Sequence, residues 1–171
     1  MNRDDTLRTW LDTHGAMIER IAGAYERRPA LVAELTQEIA LALWRALPKF
    51  RHESSERTFI ARIAHNVGVS HVRKAVARPG AQPGDSDQDV PDALADERPQ
   101  PDQVTDDAQR RALLQDAVHA LPLTLRAVMT LHLEGFGNAE IAQTLSLTAG
   151  NVGVRLTRGK AVLKKQLESR R

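Results

Sequence analysis

One stretch near the middle of the chain, "RPGAQPGDSDQDVPDALADERPQPDQVTDD" (78–107), limits every fold the sequence can adopt. It holds five of the eight prolines, and nine acidic residues against two arginines. With almost no large apolar side chains it cannot bury enough surface to offset the entropy of ordering. It reads as a flexible acidic linker, and it divides the 171 residues into two bodies, 1–77 and 108–171. Each must close a core of its own. On both sides apolar residues recur at spacings of three and four, and alternating strand patterns are absent. The expected fold is all-α: two small helical domains, 1–77 and 108–171, joined by the linker 78–107.

Charge follows the same division. Residues 1–77 carry 12 Lys/Arg and 9 Asp/Glu, residues 78–107 carry 2 and 9, and residues 108–171 carry 10 and 4. The net of +2 therefore conceals two cationic bodies around an anionic strip. Several function classes drop out. The chain has no cysteine, which removes disulfides, thiolate zinc and thiol catalysis. The six histidines show no metal-binding spacing, and neither a nucleophile constellation nor a phosphate-cradling glycine loop is present. No metal, cofactor or catalytic residue is expected. The start lacks the form of a signal peptide, and no apolar run nears the roughly 20 residues of a membrane span. The expectation is a cytoplasmic, non-enzymatic protein.

In the second body, "RRALLQDAVHAL" is an amphipathic helix ended by Pro122, and "LTLRAVMTLHLEG" is a second, stopped at Gly135. Asn138 is expected to cap a short third helix, with Glu140 in its first turn. Thr148 is expected to cap a fourth that runs to about Glu168. A short helix, a tight turn and a longer cationic helix form the helix-turn-helix plan. Ala142 is small where the longer helix crosses, and Val152 is its core contact. At 100° per residue, Val152, Leu156, Leu163 and Leu167 form one stripe with Gly159 beside it. The opposite face carries Gly150, Val154, Thr157, Arg158, Ala161 and Lys165, flanked by Asn151 and Arg155. Small residues at its start suit entry into a major groove. Arg158 could meet a guanine edge or a phosphate, while Arg155, Lys160, Lys164 and Lys165 could meet backbone phosphates.

In the first body, residues 31–47 project as a helix whose core stripe is Val32, Leu35, Ile39 and Leu43. Its other side shows Glu34, Gln37, Glu38, Leu41 and Arg45, with Trp44 at the edge. Glu34 and Glu38 repel each other in an isolated helix. Beside an exposed Leu and Trp they suit a docking face for a cationic partner, although periodicity alone fits a solvated face. Ser55 can cap a long helix beginning near Glu56, with Ile60, Ala64 and Val67 inward and Ile63 at the margin. Phe59, Arg62, Asn66, Ser70 and Arg73 share an outer stripe suited to unstacked single-stranded DNA. A core position also fits the angle of Phe59.

The stretch "ELTQEIALALWRALPKFRHESSERTFIARIAHN" resembles conserved region two of bacterial sigma factors. "ALPLTLRAVMTLHLEGFGNAEIAQTLSLTAGNVGVRLTRGKAVL" is similar to their region four. The order of the two and the acidic strip between them look like the extracytoplasmic-function (ECF) group. The resemblance implies a transcription initiation factor that binds core RNA polymerase through the β′ clamp helices and the β flap, selects promoter DNA and assists its melting. Glu34, Leu35, Gln37 and Glu38 match the clamp-docking motif, with Leu41 and Arg45 on the same helix. Ser54 to Asn66 match the segment that opens the minus-ten element, with Asn66 at the base-contacting asparagine. Ser54, Phe59, Arg62, Asn66 and Arg73 are the implied minus-ten contacts. The fourth helix matches the minus-thirty-five reader, with Asn151, Val154, Arg155, Thr157, Arg158, Lys160 and Lys165 as its implied contacts. An anionic linker on the RNA exit path would resemble RNA in charge.

Three departures from the family pattern stand out. The acids usual before the Leu-x-Gln-Glu motif are replaced by Leu31, Val32 and Ala33. Phosphorylation of Thr36 or Thr58 would restore charge there. The Trp-x-Tyr pair of the melting helix is Phe59 to Ala61, and Gly153 and Val154 stand where Arg and a small polar residue are common. Control by an anti-sigma factor, by a Ser/Thr kinase or by expression alone is compatible with the residues. The main rival is a regulator with a LuxR-like helix-turn-helix, which would need a sensory domain that residues 1–77 do not resemble.

Overall fold

The computed structural model describes residues 2–77 and 106–170, all of whose regular elements are helical. The expected linker falls almost wholly outside these residues, and with it the expectation that an anionic strip imitates RNA. Three helices make the first body: α1 (Arg3–Tyr25), α2 (Pro29–Ala46) and α3 (Glu56–Val76), with a 3₁₀ turn (Leu47–Lys49) after α2. Four make the second: α4 (Asp106–His119), α5 (Leu123–Leu133), α6 (Asn138–Leu145) and α7 (Ala149–Ser169).

The first body is a three-helix bundle in which α1 packs on both α2 and α3. Trp10, Ile18 and Ile21 of α1, Leu35, Ile39 and Leu43 of α2, and Ile60, Ala61 and Ala64 of α3 are its buried centre. Pro29 starts α2 at a position where its missing N–H costs nothing,. Ser55 caps α3 as expected, its hydroxyl accepting from the Thr58 N–H at 3.1 Å,. Glu26 staples the three helices together. Its carboxylate accepts the backbone N–H groups of Arg27 and Arg28 at 2.9 Å each and His71 Nε2 at 2.8 Å. Burial pushes this carboxyl upward, but the bonds from Arg28 and His71 outweigh it and hold the group at about 2,.

The second body follows the helix-turn-helix plan, with α5, α6 and α4 all packed on α7. The expected stripe on α7 is found: Val152, Leu156, Gly159 and Leu163 are buried and Leu167 is packed at its end. Two expectations need correction. Gly137, not Asn138, is the cap of α6, and the Glu140 carboxylate accepts its N–H at 2.8 Å. The first helix of this body begins at Asp106 rather than at Arg110, because Asp106 and Asp107 satisfy the positive end of the helix dipole,. Gly135 ends α5 in the left-handed region at φ 82°, with Phe136 N–H bonded back to the Leu131 carbonyl and Gly135 N–H to that of His132,. Ser146 takes the same conformation after α6, at φ 55°.

The two bodies also pack on one another, α3 against α5 and α6, and α1 against α4 and α5. Nothing in the sequence foretold this contact.

Candidate nucleic-acid and docking surfaces

On α2, Glu34, Gln37, Glu38, Leu41 and Arg45 lie together on the exposed side, as expected. Leu41 is 48% exposed, a large apolar side chain amid charges. Leu35 departs from the expectation of a contact residue: at 1% exposure it belongs to the core beneath the face. Trp44 is neither free nor in the core. Arg3 stacks on its ring at 3.7 Å and donates to its carbonyl, while its indole N–H donates to Asp4 at 2.9 Å,. The first turn of α1 thereby fixes the end of the α2 face.

On α3, Asn66, Ser70 and Arg73 are exposed on one side. Ser54 is half-buried in the loop before α3. Phe59 is half-buried, and the side it turns inward packs against other rings. Its ring lies 4.8 Å from Phe50 and 5.8 Å from Trp10, in a cluster that Trp10 and Phe50 complete at 5.3 Å,. His52, at φ 57°, packs at a tilt against Phe50 with ring centroids 4.4 Å apart. Arg62 is also not free: its Nη2 donates to the Gln143 carbonyl at 3.0 Å. Behind this face, Tyr25 and His65 share a hydrogen bond of 2.6 Å. Burial pushes the phenol up and drives the imidazole down to about 4, with Arg73 adding to the second effect,. Both groups are thus neutral.

On α7, Asn151, Val154, Thr157, Arg158, Lys160 and Lys165 are exposed, and Arg155 is half-buried at the flank. Val154 is 49% exposed. A Cβ at Gly153 would meet nothing within 4 Å, so the start of this face is open. Thr148 caps the helix by accepting the Asn151 N–H at 3.1 Å. Gly159 faces the other way, where a Cβ would come within 2.7 Å of Met129.

Residues 5–78 match the family profile described as Sigma-70 region 2, and residues 111–163 match that described as Sigma-70, region 4. The RNA polymerase sigma-H factor of Pseudomonas aeruginosa is 33% identical over 146 residues, which cover 79% of this chain and 72% of that protein. The chain belongs to the sigma-70 family. The ECF RNA polymerase sigma factor SigE of Mycolicibacterium smegmatis is 31% identical over 90% of this sigma factor and 58% of its own length. The sigma factor RpoE of Bartonella quintana, solved in complex with the anti-sigma factor NepR, shares the fold. It has a TM-score of 0.69 at 20% identity, covering 98% of this chain and 99% of that one. The sigma factor thus falls in the ECF group, and its role is that of a transcription initiation factor.

Thr58, considered above as a phosphorylation site, is 1% exposed and bonded to the Ser55 hydroxyl at 3.0 Å. It is the partner of a helix cap and is closed to a kinase in this fold. Thr36 is half-buried and donates to the Val32 carbonyl at 2.9 Å. Arg20, Arg57, Glu134 and His119 escaped the sequence reading, since their partners lie in the other body. No helix among the described residues is long and apolar enough to cross a membrane.

Proposed function

We propose that this sigma factor docks on the β′ clamp helices through Glu34, Gln37, Glu38, Leu41 and Arg45 of α2, with Leu35 as their support. Ser54, Arg62, Asn66 and Arg73 meet the opened minus-ten element. Phe59 acts by holding the loop that precedes α3. Asn151, Val154, Arg155, Thr157, Arg158, Lys160 and Lys165 of α7 meet the minus-thirty-five duplex, and the second body meets the β flap. The functional division is 1–77, 78–107 and 108–171. The factor works stoichiometrically in the cytoplasm, by holding surfaces and bases rather than by turning over a substrate. By analogy with the Bartonella relative, an anti-sigma factor is one controller, and a kinase acting on Thr36 is another.

The outward face of α7 carries this reading. Among the described residues, Arg158, Lys160 and Lys165 have no carboxylate within ion-pair distance, and all three are exposed. Unpaired cations around a small-residue helix start suit a phosphate backbone with base edges between its strands.

Co-purification of the tagged sigma factor with bacterial core RNA polymerase tests the docking half. The wild type is expected to bind and the Glu34→Lys/Glu38→Lys variant to be lost, with its helical circular dichroism unchanged. Retention of the variant would refute docking through α2. For the DNA half, Asn66→Ala in the holoenzyme should leave promoter binding and impair opening, read by permanganate reactivity of unpaired thymines.

A further inference from the structure

The outward face of α7 holds a feature that its charges do not explain. Val154 is 49% exposed on that face, a branched apolar side chain among cations. The positions around it are small. Gly150 stands one turn before it and Ala161 two turns after, both exposed, and a Cβ at Gly153 would meet nothing within 4 Å. Val154 therefore projects beyond its surroundings. Thr157, three residues on and also exposed, is its neighbour on the helix surface,. The Thr157 hydroxyl donates to the Gly153 carbonyl at 3.0 Å, so its proton is committed to the helix itself. What this pair offers to an incoming surface is methyl groups.

We propose that Val154 and the Thr157 methyl are the specificity element of the minus-thirty-five reader, and that they select thymine by its ring methyl group. The inference rests on the proposed role of α7 and names what that helix reads. Every base edge in the major groove presents hydrogen-bonding groups, and only thymine adds a methyl. A branched side chain pressed on a cytosine amine or a guanine O6 would strip water from that group and return no partner. Against the thymine methyl it strips nothing of value and removes apolar surface from water. One side chain thus favours thymine and penalises the G·C edge. The bare positions at Gly150 and Gly153 serve the same end, since they let the methyls reach the groove floor. The surroundings complement a duplex. Asn151 and Arg158 lie one turn to either side of Val154, both exposed, with Lys160 and Lys165 beyond. An apolar knob ringed by cations matches base edges flanked by two phosphate strands.

The test uses holoenzyme reconstituted from the full chain and core RNA polymerase, with a pool of random-sequence duplex DNA as the probe. Retained sequences are expected to share a fixed thymine in their upstream element. Each thymine of that element is then replaced singly by deoxyuridine, which removes the methyl and keeps every hydrogen-bonding group. Wild type should lose affinity roughly three- to tenfold at the contacted position. Val154→Ala and Thr157→Ser, the second of which keeps the hydroxyl, should bind the thymine duplex more weakly and lose most of the uracil penalty. The two losses are then not additive, as for groups in contact. Equal binding of the thymine and uracil forms by wild type overturns the inference. So does an undiminished uracil penalty in both variants. Loss of Val154→Ala from core polymerase overturns it too, by assigning Val154 to a protein contact. Failure of the α7 assignment reads differently: the Arg158→Ala/Lys165→Ala variant would keep the wild-type salt dependence of duplex binding, whereas failure of the thymine inference alone leaves that dependence weakened.

Discussion

Gly68 marks a close approach of α1 and α3. A Cβ there would lie 2.4 Å from the Tyr25 ring, which is buried and tied by its hydroxyl to His65. A ring anchored at both ends cannot yield, so Gly68→Ala should destabilise the first body by about 1–3 kcal/mol, after the gain in helix propensity is subtracted. Urea unfolding would measure it. The Tyr25–His65 pair sets an acid limit. Because His65 falls to about 4 in the fold from an ordinary 6.5, the unfolded chain binds the extra proton. Stability is therefore full above about pH 6.5 and is lost as the pH falls toward 4, by on the order of 2 kcal/mol between pH 7 and 5. Glu26, held at about 2 against 4.5, adds its own loss only at lower pH. His65→Gln should flatten the profile between pH 7 and 5 in denaturant midpoints, and an unchanged slope would assign the acid loss elsewhere. Of these contacts the sequence showed only one side. Gly159 was visible beside the α7 stripe, but Gly68 sat in an unremarkable helix because its neighbour comes from α1.

At the scale of elements, ends set by local chemistry were legible and ends set by distant partners were not. Ser55 and Thr148 were readable as caps because their hydroxyls serve the N–H three residues on. Gly135 was readable as a stop because only it escapes the cost of a left-handed φ. Ser146 bears that cost: at φ 55° its Cβ is crowded in the turn between α6 and α7,. Ser146→Gly should raise stability by about 0.5–1 kcal/mol, seen as a higher melting temperature with DNA binding retained. The opposite ends of the helices followed a rule that no single segment displays. The last-turn carbonyls of α1, α2, α4, α5 and α6 receive His119, Arg3, Arg126, Arg57 and Arg62 in turn. Each donor comes from another element, so charge runs that read as solvated faces include the caps of distant helices.

For the whole molecule, two bodies were legible from the proline-rich acidic strip, and their closure was not. Closure depends on three of those end caps, two from α3 and one from α4, together with the Arg20–Glu134 pair. A joined interface of this kind predicts one cooperative unfolding transition. Arg57→Ala removes both the contact on Phe136 and the Glu134 cap, and should split that transition into two in scanning calorimetry; a single sharp peak would mean that the bodies are coupled by other contacts.

The acceptors in those caps are main-chain oxygens, which every residue type possesses. An alanine scan of α6 would therefore leave the Gln143 acceptor intact and score the position as silent, while Arg62 on the facing helix would register. Mutational maps of this interface should be one-sided, with signal at the donors and, among the acceptors, only at Glu134. A lost cap donor would have no compensating side-chain change opposite it, so second-site suppressors for Arg57 and Arg62 should arise away from the contact itself. Covariation between the two bodies would be faint for the same reason, even where they touch.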